Sequence, residues 1–356
     1  MTISSLPVPP ASPDRLDCVA LGEVMLRLDP GEHRIRQART FDVWEGGGEY
    51  NVVQALSSCF GHGTAILTSL VDNEIGRLLE GLIRRSGVAT DWIRWVPHDG
   101  MGQAARNGLY FMERGFGARG ATAVMDRAHT AIAQLSPEDL DWSGIFSQAR
   151  PRWFHVGGVM AGLSEKSPEV VKAAMIAAQE QGAIVSYDLN YRASLWAKRG
   201  GKKAALACNE ELLEFADVVF GVHSLPHPVD HLDKEAFSAA LQDMLSRYPN
   251  IKLAATNMRI IKDASHNDWS GMCLANGEFY AAKPYNGLPV LDRVGGGDAF
   301  AAGLIHGLLS NMGLQTAIEL AAAHGALVMS TPGDNSFFSA AEVLAYAKGG
   351  EAAANR

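Results

Sequence analysis

Short apolar runs that end in a glycine or a polar loop, each neighbouring a segment of helical spacing, constrain the fold of this chain more than any other feature. CVALG (Cys18 to Gly22), TAILTSL (Thr64 to Leu70), RWFHVGG (Arg152 to Gly158), AIVSYDLN (Ala183 to Asn190), ADVVFG (Ala216 to Gly221) and IKLAAT (Ile251 to Thr256) are of this kind. They read as buried strands, and strands alternating with helices give an α/β fold with a doubly wound, mostly parallel sheet flanked by helices. Helices are expected at Tyr50 to Cys59, Ile75 to Ser86, Pro168 to Gln181 and Asp298 to Leu309. In the third, Val170, Val171, Ala174, Ala177 and Ala178 recur at helical spacing.

Two stretches, about 27–43 and 91–124, break the rhythm. They carry short alternating pieces such as WIRW (Trp92 to Trp95) and NGLYFMER (Asn107 to Arg114) among glycines and arginines, and predict a small accessory sheet. Residues 1–15, rich in Ser and Pro, are expected as a disordered tail and 349–356 as a frayed C-terminus, leaving 16–348 as one domain.

A formal charge of −8 with no basic stretch argues against a nucleic-acid partner. No run approaches a membrane span, and the N-terminal residues lack the apolar core of a signal peptide. Cys18, Cys59, Cys208 and Cys273 lie far apart, which suits a reducing cytoplasm and suggests neither a disulfide framework nor a zinc ribbon. His155, His223, His227 and His231 lack the carboxylate or cysteine at tight spacing that a zinc site needs.

Chemistry concentrates in LDRVGGGDAFAAGLIHGLL, Leu291 to Leu309, where a glycine run with one acid leads into an apolar helix. Glycines let amide N–H groups converge on an anion, and the helix start adds favourable partial charge. Asp298 beside a reacting phosphoryl group could accept a hydroxyl proton; equally, it could be a plain N-cap above a tight turn. WEGGGEYNVVQAL, Trp44 to Leu56, repeats the pattern of glycines before a helix, with Asn51 in the first turn offering donor and acceptor to sugar hydroxyls. A loop with ordinary helix capping is the competing reading there.

The pair GGGEYN (Gly46 to Asn51) and DRVGGGDAF (Asp292 to Phe300), in this order and about 245 residues apart, resembles the two motifs of the ribokinase-like (PfkB) carbohydrate kinases. The resemblance runs from about Asp17 to Lys348 and implies a ribokinase-like α/β domain whose β-sheet lid falls at the two aberrant stretches. It implies Asp298 as catalytic base, Gly295, Gly296 and Gly297 as anion hole, and ATP with Mg²⁺, monovalent-ion activation being left open. A homodimer through the lid is expected, because an exposed face on the lid sheet with Trp92, Trp95 and Tyr110 nearby would be a natural dimer patch.

YDLNYRASLW (Tyr187 to Trp196), NGLYFMERG, GDNSF (Gly333 to Phe337) and LGEVMLRL look like the 2-keto-3-deoxygluconate kinase branch. That narrower likeness places Asn190, Arg192 and Asp292 near the ATP phosphates or their metal, with no direct protein ligand to the metal assigned. Gly46, Gly47 and Asn51 would bind the sugar, and Arg106 and Tyr110, with Arg114 and Arg119 nearby, would meet its carboxylate.

The chain also departs from the family pattern. Where many relatives carry Asn-x-x-Glu it reads GVHSLPHPVD (Gly221 to Asp230), and IKLAAT runs into NMRIIKD in place of a small-residue turn. Contacts from Thr256 or Arg259 to the nucleotide stay open. The expected activity is phosphorylation of a sugar acid; a kinase for a neutral ketose or nucleoside, or a non-catalytic binding regulator, are the alternatives.

Overall fold

The structure, a computed structural model, describes residues 6–223 and 233–350. The chain opens with β1 (Cys18–Leu21), leaves the main sheet for β2 (Met25–Asp29) and β3 (Asp42–Gly46), and returns through α1 (Gly48–Ser58) to β4 (Thr64–Asp72). Helix α2 (Glu74–Arg85) leads to β5 (Val88–Ala89) and β6 (Ile93–Pro97), after which β7 (Leu109–Glu113) and β8 (Thr122–Asp126) form a second excursion. The α/β alternation then resumes with α3 (Trp142–Ala149), β9 (Trp153–Gly157), α4 (Gly158–Ala161), α5 (Ser167–Glu180) and β10 (Ile184–Asp188). It continues with α6 (Ala193–Trp196), α7 (Gly201–Leu213), β11 (Val218–Phe220), α8 (Lys234–Arg247) and β12 (Leu253–Ile261). Three antiparallel strands, β13 (His266–Ala275), β14 (Glu278–Ala281) and β15 (Tyr285–Pro289), precede helices α9 (Gly296–Leu309), α10 (Leu314–Val328) and α11 (Ala340–Ala347).

The main sheet runs β14-β13-β12-β11-β10-β9-β1-β4-β5, parallel from β12 to β5, with β6 paired to β4 and β15 to β13. Its strands are apolar without alternation because helices cover both faces. Val52, Leu79, Phe300 and Ile318 of α1, α2, α9 and α10 pack on one side, and Phe146, Val170, Leu212 and Leu241 of α3, α5, α7 and α8 on the other. Local signals set the helix ends: Asn73 Oδ1 accepts from Gly76 N at 3.0 Å at the start of α2, and Arg84 and Arg85 sit in its last turn, where the helix dipole favours them.

The second sheet, β3-β2-β7-β8, is the expected accessory layer, and β2 and β7 form its parallel pair. The WIRW segment does not belong to it. As β6 it pairs parallel with β4, Ile93 opposite Thr68, because Ile93 is buried in the main core.

The N-terminal stretch is pinned from Leu6 onward: Leu6 is buried in the core, and Arg152 Nε donates to Pro9 O at 2.7 Å. Residues 1–5 and 351–356 lie outside the described residues. Trp95 lies under the Arg77 guanidinium, Trp92 packs on the core and Tyr110 is buried, so these three make no exposed aromatic face. Among the described residues no helix is long and apolar enough to cross a membrane.

Candidate active site

The two glycine-rich segments meet. Gly295 adopts φ 81° and caps α9, so the helix begins at Gly296 and Asp298 lies inside its first turn without capping it. A side chain at Gly295 would collide with the Asp334 carbonyl, which with its left-handed backbone makes glycine obligatory there. The Asp298 carboxylate faces α1, where Asn51 Nδ2 donates to its Oδ2 at 2.7 Å. Asn51 is fixed in turn, because its Oδ1 accepts from Gly47 N at 3.2 Å. The plain N-cap reading of Asp298 is thus set aside.

Of the three glycines that lead into α1, Gly46 is crowded by Tyr110 and Asp334, and Gly47 by the Glu23 carbonyl. Gly48 faces the chemistry: a Cβ there would lie 3.7 Å from Asn190 Nδ2 and 3.8 Å from Asp298 Oδ1. Asn190, Gly48, Asn51 and Asp298 therefore share one locus at the carboxyl ends of the parallel strands, where ligands of open α/β sheets bind. Gly297 is exposed beside it, and Asn257 Oδ1 of β12 lies 3.9 Å from where its Cβ would stand.

Electrostatics mark the same place. Burial raises Asp298 to about 7, with the Asp188 and Asp334 charges adding and the Asn51 hydrogen bond and Arg192 opposing. Burial likewise lifts Asp188 to about 6 and Glu49, whose Oε2 has no hydrogen-bond partner among the described residues, to about 7. Carboxyls gathered at one strand edge and displaced toward neutrality are the usual signature of a functional site. The sequence offered no signal for Glu49 beyond its place in GGGEYN. Asp188 lay unremarked in the segment that supplied Asn190 and Arg192, the latter exposed and within electrostatic reach of Asp188 and Asp298.

Three expected contacts are corrected. Asp292 is buried beneath the loop: it binds Arg27 Nη2 and accepts from Val294 N at 3.2 Å, so it braces the turn. Arg27, fully buried on β2, also holds Asp29 at 2.7 Å and Asp334, and the Tyr110 hydroxyl donates to Asp334. Tyr110 is thus spent inside this lid-to-body network and offers no wall to a ligand. Arg106 is likewise not a free counter-charge, since it forks onto Asp126 at 2.7 and 3.3 Å; Arg114 and Arg119 pair with Asp29 and Glu113.

All four cysteines are free. His155 bonds Ser186 in the core and His223 pairs with Glu210, while His227 and His231 lie outside the described residues. Among the described residues no three His, Cys, Asp or Glu side chains are arranged to hold a metal.

A doubly wound sheet with a four-stranded lid and a carboxylate at a glycine-lined helix start defines the ribokinase-like class of small-molecule kinases. Comparison with known proteins takes the assignment further: the chain belongs to the pfkB family of carbohydrate kinases, whose model matches residues 15–341. It is 28% identical over 341 residues to a 2-dehydro-3-deoxygalactonokinase of Haloferax volcanii, covering 96% of this chain and 99% of that one. The crystal structure of 2-dehydro-3-deoxygluconokinase from Thermotoga maritima is similar at 35% identity and a TM-score of 0.85, over 94% of this chain and 98% of that one. A chain described as ribokinase II from E. coli, in complex with ATP and Mg²⁺, shares the fold at 16% identity and a TM-score of 0.74, over 94% and 99%.

Proposed function

We propose that this carbohydrate kinase transfers the γ-phosphoryl group of ATP to a hydroxyl of a sugar acid, 2-keto-3-deoxygluconate giving its 6-phosphate. The observation that carries the reading is the Asp298–Asn51 contact at the open end of α9, which holds a carboxylate of raised pKa where a hydroxyl and a phosphoryl group can meet. The sugar lies over Gly48 between Asn51 and Asn190, with its hydroxyl on Asp298. Asp298 accepts the proton as the oxygen attacks phosphorus, and the amides of Gly295 to Gly297 receive the charge on the phosphoryl oxygens. Mg²⁺, when bound, would neutralise charge on the phosphate oxygens.

The acid character of the substrate is supported by the names of the relatives. A neutral ketose is the second reading, and the self-paired Arg106, Arg114 and Arg119 favour it. ADP release measured over 2-keto-3-deoxygluconate, 2-keto-3-deoxygalactonate, fructose and ribose decides between them. We expect kcat/KM for a keto-deoxy acid to exceed that for fructose by about 10²-fold, about 2.7 kcal/mol of discrimination; equal turnover of fructose would sink the acid assignment. We assign the homodimer face to the lid row Val43, Leu28, Phe111 and Val124, which lie side by side across its four strands with both ends exposed. Light scattering of the wild type and Val124→Lys checks it, a monomeric wild type counting against.

A further inference from the structure

Most arginines that reach inward here have a carboxylate: Arg27, Arg114, Arg127 and Arg152 pair with Asp292, Asp29, Glu23 and Asp17. Arg259 is different. It is partly buried, yet its side chain makes no hydrogen bond or ion pair with any described residue. Burial lowers its pKa, and the charges of Arg293 and Arg192, of its own sign, push the same way. Among the described residues Arg293 is itself tied only to main chain, through Ala264 O at 3.0 Å and Asp263 O. Arg259 is thus repelled by two other guanidinium groups in the free protein, a situation that a polyanion bound beside it would relieve.

The backbone explains how they gather. β12 does not turn at the sheet edge after Thr256 but continues to Ile261, paired with β13 throughout. Side chains alternate along a strand, so Asn257 and Arg259 share one face with their partners Gly271 and Trp269. That face looks onto α9 and α10: Gly271 abuts the Phe300 ring, Trp269 Nε1 donates to Ala322 O at 3.0 Å, and Asn257 points at Gly297. Arg259 stands one step further along that face, opposite Trp269.

We propose that Arg259 is a catalytic residue that binds the triphosphate of the nucleotide and stabilises the phosphoryl group in flight, an arginine supplied in cis by the prolonged strand. The proposal rests on the kinase reading above and adds a residue to it. In the step it serves, the sugar oxygen forms a bond to the γ-phosphorus and its proton passes to Asp298. The bond from phosphorus to the β-bridging oxygen breaks, and its electron pair leaves on ADP. Arg259 hydrogen-bonds the non-bridging oxygens, where a planar fork serves better than an ammonium.

The test uses the full chain with Arg259→Gln and Arg259→Lys. Calorimetric titration with Mg²⁺-ATP, Mg²⁺-tripolyphosphate and AMP needs no sugar, so it reports even if the sugar-acid assignment is wrong. We expect Arg259→Gln to bind ATP and tripolyphosphate at least tenfold more weakly, with AMP affinity within twofold of the parent's. Turnover should fall about 10³-fold, the lower end for an arginine at a phosphoryl transition state, and Arg259→Lys should recover less than a tenth of it. Triphosphate affinity within threefold of the parent's overturns the proposal. So does equal weakening of AMP and ATP with a lowered Tm, which would make Arg259 structural.

Discussion

Replacing Asp298 by Asn should cost activity and, at neutral pH and above, gain stability. The carboxyl sits at about 7 against an ordinary 3.8, chiefly through burial, so the folded protein holds a proton there that the unfolded chain releases. A raised acid contributes nothing unfavourable below the unfolded value; its burden grows as pH climbs from the unfolded value to the folded one and is complete above it. At 1.36 kcal/mol per pKa unit the ceiling above pH 7 is about 4 kcal/mol. Asp298 keeps an opening to solvent, which reduces the realistic gain to about 1–2 kcal/mol. Asparagine retains an oxygen for the Asn51 hydrogen bond and carries no charge. Urea melts of both proteins at pH 8 and pH 5 should show the variant more stable at pH 8 and the gap at least halved at pH 5. Single-turnover transfer at saturating ATP and sugar should fall by about 10² to 10⁴. A gap independent of pH, or a rate within threefold of the parent's, would refute the reasoning.

Asn51→Leu removes the hydrogen bond that holds the Asp298 pKa down, so the acidic limb of the pH–rate profile should move to higher pH while the fold persists; an unmoved limb would separate the two residues. Arg27→Met strands the buried carboxylates of Asp292, Asp334 and Asp29, and denaturant titration should register a loss of about 3–5 kcal/mol, a loss under 1 kcal/mol counting against the network. Because that guanidinium already neutralises the carboxylates under the glycine turn, exchanging K⁺ for tetramethylammonium should leave turnover within twofold in an ADP-release assay. Arg192→Lys keeps the charge but loses the planar fork, and steady-state kinetics should show a raised KM for ATP, a lowered turnover, or both.

What the sequence disclosed follows from where periodicity carries information. β1, β4, β9, β10 and β11 were legible because burial on two faces leaves an unbroken apolar run. β13 was not, since His266–Ala275 mixes Asn267, Asp268 and Ser270 into a buried strand. Ser270 Oγ donates to Ala282 O at 3.1 Å and Asp268 Oδ1 accepts from Gly287 N at 2.8 Å, while Asn267 Oδ1 has no partner among the described residues, and no pattern of types announces such pairings. Helix α10 escaped for the opposite reason: the polar residues Gln315, Thr316 and Glu319 are confined to its first turns, and the rest is buried on nearly every side, so no polar face runs along it.

At the site, Asp298 and Asn51 stood out because each lies in the first turn of a helix that follows a glycine run, and the structure brings the two side chains together. The lid arginines were misread because whether a guanidinium is free depends on carboxylates such as Asp29 and Asp126, which only folding brings alongside. The glycines make the same point. In GGGEYN the first two answer to crowding by Tyr110, Asp334 and the Glu23 carbonyl, and the third alone opens toward Asp298. Identical letters thus carry packing at two positions and chemistry at one, so a substitution at Gly46 should be felt first in stability and one at Gly48 first in turnover.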